Sequence, residues 1–167
     1  MVSEKIFIIP ENPKGKAVEG SNRVVSVLKD YVEAAKGEVG TIVAEKGARV
    51  NLHEKEITEF LYKIYGGNFV YRKVSDVEGQ KTSDIYWNGI AYDIKASSGT
   101  SKNAIDNRLR ETKGQANRFI FDVTRSPLEN NEIVRQTIYS FNSVHRRWLN
   151  EVILIRTKKV FEILRSK

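Results

Sequence analysis

The chain has 167 residues, 40% of them hydrophobic, which suits one domain with at most a small extension and allows a sizeable core. It holds no cysteine, excluding a disulfide framework and any thiolate metal centre. Its net charge of +7 favours an acidic partner, nucleic acid foremost, and no run is long and apolar enough to span a bilayer.

The opening residues, Met1 to Lys5, lack the basic-then-apolar layout of a signal peptide. Ile6 to Ile9 is a short apolar run ended by Pro10 and reads as an edge strand or docking segment. Residues 11–20 are polar, punctuated by proline and glycine, and read as linker. Ser21 is placed to cap a helix reaching about Ala35, with Val24, Val27, Leu28, Tyr31 and Val32 on one stripe. Glycines at 37, 40 and 47 flank a short strand over Thr41–Ala44. Residues 1–48 thus read as an N-terminal extension of strand, linker and helix, and 49–167 as the domain that carries the chemistry.

Ile57, Phe60, Leu61 and Ile64 recur at helical spacing and predict a helix over 54–65, stopped by Gly66-Gly67. His53 lies one turn before Ile57, with Glu56 three residues on. It is either a catalytic group or a cap and satisfied interior histidine. A strand follows over Asn68–Lys73, then a polar stretch. A helix over about Lys102–Ala116 turns Ile105, Leu109 and Ala116 inward and exposes Lys102, Arg108, Arg110 and Lys113. Arg118–Val123 reads as an interior strand. Ser126-Pro127-Leu128-Glu129 has the order of N-cap, proline and capping-box acid, predicting a helix start. His145-Arg146-Arg147-Trp148 is basic and aromatic, either an RNA-contact patch or a solvated helix end. Two strands joined by a basic turn close the chain.

The most informative stretch is Lys81–Lys95. Asn88-Gly89 between two β-rich segments predicts a two-residue hairpin turn, since both residues accept positive φ. Counting outward pairs Trp87 with Ile90, Tyr86 with Ala91, Ile85 with Tyr92, and Asp84 with Asp93. Alternation then sets Asp84, Tyr86, Ala91, Asp93 and Lys95 on one face and Ile85, Trp87, Tyr92 and Ile94 on the other. Two carboxylates directly opposite each other destabilise a sheet unless a cation, a shared proton or a base compensates. Asp84 and Asp93 holding a divalent ion such as Mg2+, with Lys95 steadying a charged phosphorane, would suit phosphodiester cleavage. The plainer reading is a solvent-facing hairpin whose aspartates Lys95 relieves. Beyond Lys95, the loop Ser97–Ser101 leads into a helix N-terminus, where Ser98, Thr100 and Ser101 can cap or bind phosphate.

The expected fold class is α/β (α+β): a mixed β-sheet flanked by helices, with core order α-β-β-β-α-β, then a helix and a C-terminal β-hairpin. With Asp84 on one strand and Asp93-Ile94-Lys95 on the next, this order resembles the PD-(D/E)XK nuclease core. It departs from that pattern in its short gap and in lacking a proline before Asp84. A closer resemblance spans roughly residues 41–165, through His53-Glu54-x-Glu56, Lys81–Asp84, Tyr92–Lys95, Ser101 to Ile105, Gln115 and Phe119–Asp122. It is to the C-terminal tRNA-nuclease domain of CdiA-type contact-dependent inhibition toxins. Several of these belong to the barnase–EndoU–colicin–RelE group, which cleaves RNA without metal through the 2′-hydroxyl.

That resemblance implies a ribonuclease with Asp84, Asp93, Lys95, His53 and Glu56 as catalytic candidates. Ser98, Thr100, Ser101, Lys102, Arg108, Arg110 and Gln115 would bind substrate. It implies RNA, tRNA above all, as substrate, a cognate acidic immunity protein as partner, and action in the cytoplasm after delivery as part of a larger secreted toxin. It leaves open whether there is no cofactor or Mg2+. Other readings are a metal-dependent DNA endonuclease and a non-catalytic basic module binding nucleic acid or a protein.

Overall fold

A computed structural model describes residues 9–11 and 14–167. Among the described residues nine strands form one mixed sheet, in the spatial order β1-β2-β9-β8-β7-β6-β5-β4-β3. They are β1 (Lys16–Ala17), β2 (Val24–Ser26), β3 (Gly40–Ala44), β4 (Gly67–Tyr71), β5 (Ile85–Trp87), β6 (Ile90–Ala96), β7 (Arg118–Asp122), β8 (Glu151–Ile155) and β9 (Val160–Ser166). Helices α1 (Leu28–Ala34), α2 (Leu52–Tyr65), α3 (Ala104–Glu111) and α4 (Asn130–Asn142) flank it. From residue 52 onward the order is α2-β4-β5-β6-α3-β7-α4-β8-β9, the order expected for the core. Among the described residues no helix is long and apolar enough to cross a membrane.

Each face of the sheet has its own core. On one side Ile57, Leu61 and Tyr65 of α2 and Tyr31 of α1 pack on Phe69, Trp87, Tyr92 and Ile94. Trp87 is fully buried there, stacked on Phe69 with ring centroids 5.0 Å apart. The inward stripe of α2 ends on Tyr65, and Ile64, expected inside, is 37% exposed. On the other side Ile105 and Leu109 of α3 and Ile133 and Phe141 of α4 cover Phe119, Phe121 and Leu154. The Asn88-Gly89 turn has φ of 50° and 80°, and the ladder pairs Trp87 with Ile90, Tyr86 with Ala91 and Ile85 with Tyr92, as the sequence predicts.

Three local expectations are corrected. Residues 21–27 are not helical: Val24, Val25 and Ser26 pair with Ser166, Arg165 and Leu164. The valines' β-branching suits a strand, and β9 supplies the partner that a local helical pattern cannot anticipate. Helix α3 stops at Glu111, because the Thr112 hydroxyl donates to the Leu109 carbonyl and Gly114 turns left-handed at φ 91°. Helix α4 starts at Asn130 rather than after Ser126. The Ser126 hydroxyl oxygen accepts from the Leu128 N–H while its proton goes to the Gly99 carbonyl, tying two loops together. The Ile6–Ile9 run lies, Ile9 apart, outside the described residues.

Elements on both sides of residue 48 enter this one sheet, β1, β2 and β3 from the first part and the rest from the second. Tyr31 anchors α1: its hydroxyl donates to Glu151 Oε1 at 2.8 Å. Glu151 is completely buried, and its other oxygen accepts from Arg118 at 3.1 Å and from Arg165 Nε at 2.6 Å. A buried carboxylate persists only when so paired.

Candidate active site

The ladder between β5 and β6 stops at Ile85–Tyr92, and the parting of the two strands beyond that pair creates the site. The Asp84 side chain accepts the Ile94 N–H at 2.7 Å, the bond a continuing ladder would have given to a backbone carbonyl. Asp84 is thereby fixed where the strands separate. Asp93, the residue facing it, is 1% exposed, and its Oδ2 has no hydrogen-bond partner. Lys95, two residues along the same face, holds its Nζ 3.2 Å from that atom and is 20% exposed. Burial pushes the Asp93 carboxyl up to about 8, and the hydrogen bond and charge of Asp84 add to this, with Lys95 opposing. A carboxylate pair under this strain is suited to sharing a proton or a divalent cation.

Glu54, on the first turn of α2, feels the charge of Asp84, although the sequence pattern points to Glu56 instead. Asn51 caps that helix, accepting from the Glu54 N–H at 2.8 Å and donating to its carboxylate at 2.9 Å. Burial and then the charge of Asp84 raise the Glu54 carboxyl, placing it within electrostatic reach of the pair. Its presence in the His53-Glu54-x-Glu56 run is the one signal of it in the sequence. Arg72 carries no such signal. Its guanidinium carbon lies 4.2 Å over the Tyr86 ring, its Nη1 donates to Ser83 at 2.9 Å, and its backbone N–H donates to the Asp84 carbonyl at 3.1 Å.

The loop after β6 opens beside Lys95 as a cavity of about 510 Å3, lined by Ser97–Ser101, Asn107 and Arg108 among others. Ser98, Thr100, Ser101 and Lys102 are exposed there. Arg108 donates to the Ala96 carbonyl and pairs with Glu111, which holds it at the rim. Arg110 lies farther along α3 and reaches Asp106 at 3.5 Å. Gln115 follows the far end of α3, its Oε1 buried without a partner among the described residues.

His53 and Glu56 are not brought to this cluster. Ala96 and Asp122 are register partners, and both lie on the α2 side of the sheet, opposite to Lys95. There His53 Nε2 lies 2.9 Å from Asp122 Oδ2, in a separate cavity of about 290 Å3 with Glu56, Thr124 and Lys158. Burial would raise the Asp122 carboxyl, yet hydrogen bonds from Thr124 and His53 outweigh it and hold the carboxyl below its ordinary value.

No curated protein matches the chain significantly. Residues 81–160, from the start of the hairpin to the first residue of β9, match the family described as contact-dependent growth inhibition CdiA C-terminal domain. The fold is similar to that of a solved CdiA-CT/CdiI toxin and immunity complex from Burkholderia pseudomallei, with a TM-score of 0.54 and 19% identity over 73% of this chain and 98% of that one. The likeness to the CdiA C-terminal toxin domains thus runs through the segment that carries Asp84, Asp93 and Lys95.

Proposed function

We propose that the chain is an RNA endonuclease, acting on tRNA in the cytoplasm of a target cell, with Asp84, Asp93 and Lys95 as its catalytic centre and Glu54 at its margin. The observation that carries this reading is the meeting of two carboxylates on one sheet face with a lysine 3.2 Å from the buried one. The excess of positive charge, +7 over the chain, supports a polyanionic substrate.

The residues fit a divalent cation. Asp93 Oδ2 is buried with Lys95 Nζ 3.2 Å away, yet burial and the charge of Asp84 still raise its carboxyl, so further positive charge would be welcome there. Mg2+ is commonly held by one or two carboxylates plus water and substrate phosphate. Asp84 and Asp93 would hold it. When bound, such an ion supplies Lewis-acid stabilisation of charge on the phosphoryl oxygens.

The chain's own groups do the rest. Asp84, locked by the Ile94 N–H, cannot swing away as charge accumulates. Lys95 presents three N–H donors at the mouth of the site and stabilises the oxygen that gains charge as water attacks and the ester bond breaks. The Ser98–Ser101 hydroxyls receive the neighbouring phosphate. The structurally similar toxin is solved in complex with an immunity protein, and an acidic protein of that kind fits a site built to receive phosphates.

The decisive experiment incubates the purified chain with tRNA and with duplex DNA, with Mg2+ or EDTA. Cleavage of tRNA alone, lost in EDTA and lost in Lys95→Ala, is expected. Cleavage of DNA alone would replace the substrate assignment. Cleavage that survives EDTA would favour attack by the 2′-hydroxyl.

A further inference from the structure

Four basic side chains from separate parts of the sequence line one groove on the sheet face that carries Asp93 and Lys95. Arg110 and Lys113 come from the end of α3 and the turn after it, and Arg146 and Arg147 from the short 3-10 turn at Val144–Arg146 and the residue beyond. Val144, His145 and Trp148 complete the lining of a cavity of about 650 Å3. Asp106 is the acid that meets them, pairing with Arg146 at 3.1 Å and Arg110 at 3.5 Å, so positive charge remains in excess. Lys113 and Arg147 are exposed and carry no ion pair among the described residues. Arg23 adds to this edge, donating to the Phe141 and Arg147 carbonyls.

We infer that this groove is a second RNA-binding surface, which grips the substrate's phosphate backbone away from the scissile bond. The inference rests on the reading of the chain as an RNA endonuclease.

Two features favour nucleic acid as the occupant. Trp148 brings an indole whose Nε1 is buried without a partner, packed at 5.9 Å against Phe119, so a rigid aromatic stands among the cations. Basic side chains with an interleaved aromatic are how backbone-tracking sites are built. The groove is also tied to the segment before Asp84. Lys81, three residues before Asp84, donates from Nζ to the Lys113 carbonyl at 2.7 Å, which adds a cation next to the groove on the side of the candidate active site. Arg108, by contrast, lines the loop cavity, held there by its bond to the Ala96 carbonyl.

The test measures tRNA binding in the full chain carrying Lys95→Ala, over a series of salt concentrations. Lys113→Ala with Arg147→Ala is compared with Lys29→Ala with Lys63→Ala, which removes the same charge elsewhere. The groove pair should flatten the slope of log K against log salt by about 1.4–1.8 units, roughly 0.7–0.9 per phosphate contact, and the control pair should leave it unchanged. Equal loss in both pairs, or none in either, overturns the inference. So does a groove pair that binds tRNA normally but no longer binds the acidic inhibitor, because the groove is then a protein interface. Cleavage by the unmutated chain is scored separately: its absence beside a flattened slope retires the nuclease reading and leaves the groove standing.

Discussion

Lys95 Nζ stands 3.2 Å from Asp93 Oδ2, two residues apart on one strand and on one face. The lysine is the solvent-side member of the pair. On the proposed mechanism its removal takes away the cation that steadies the reacting phosphate. Lys95→Ala should cut tRNA cleavage about 10²–10³-fold, equivalent to about 2.7–4 kcal/mol of transition-state stabilisation. Single-turnover rates beside a melting curve check this, and wild-type rates in a folded variant would end the assignment.

The same pair sets a pH dependence. Asp93 has its carboxyl raised from an ordinary 3.8 to about 8 by burial and by Asp84. Between those values the native state holds more protons than the unfolded chain, so its stability is fully present below the lower value and is lost as pH rises through the upper one. In EDTA, the urea midpoint should therefore fall from pH 5 to pH 8. Asp93→Asn should flatten the trend, and Mg2+ should restore stability at pH 8.

Glu54 and His53 are neighbours on α2 with different surroundings. Glu54 responds to the Asp84 charge, whereas His53 bonds Asp122 on the far face of the sheet. Glu54→Gln should lower cleavage more than His53→Gln does. His53→Gln should instead weaken the protein near neutral pH, because Asp122 loses one of the bonds that holds its carboxyl low, and the deficit should shrink as pH falls through the folded value of Asp122, where that stability is lost in both proteins. Parallel kcat/KM values and urea midpoints measured from neutral to acid pH decide the matter.

Gly89 has φ 80° in the turn that brings Asp84 to Asp93. A β-branched residue is strained there, and Gly89→Val should cost about 1–3 kcal/mol. Activity should fall further than stability alone explains, since the turn sets the register of the carboxylates. Urea unfolding and cleavage rates, compared at a temperature where the variant is folded, test this.

Glu151 is buried with two arginines and two tyrosines around it. Glu151→Ala strands both guanidinium groups and should cost about 3–5 kcal/mol. Tyr31→Phe removes one hydroxyl from the network and should cost nearer 1 kcal/mol. Denaturant midpoints distinguish the two.

Local chemistry made much of this protein legible before any tertiary information. Asn88-Gly89 specifies its own turn and the pairing out to Ile85 and Tyr92, alternation sets Asp93 and Lys95 on one face of β6, and the Ile57–Leu61 spacing with Gly66 marks α2; the expected Asp84–Asp93 pair falls beyond the end of the ladder. These signals lie within a few residues of what they determine. Only the tertiary structure decided the rest, because the deciding partners are remote in sequence. Val24–Ser26 became a strand through β9, some 140 residues away, and the Ser126 hydroxyl was drawn to Gly99 instead of capping a helix. The rotation of α2 about its axis, set by packing on Phe69 and Trp87, turned Glu54 toward Asp84 and His53 toward Asp122. The basic groove joins the 3-10 turn to α3, which the Arg146–Asp106 ion pair ties together across 40 residues of sequence. A hairpin carries its register in its own turn, but a helix face or an assembled groove is fixed by contacts that no local pattern encodes.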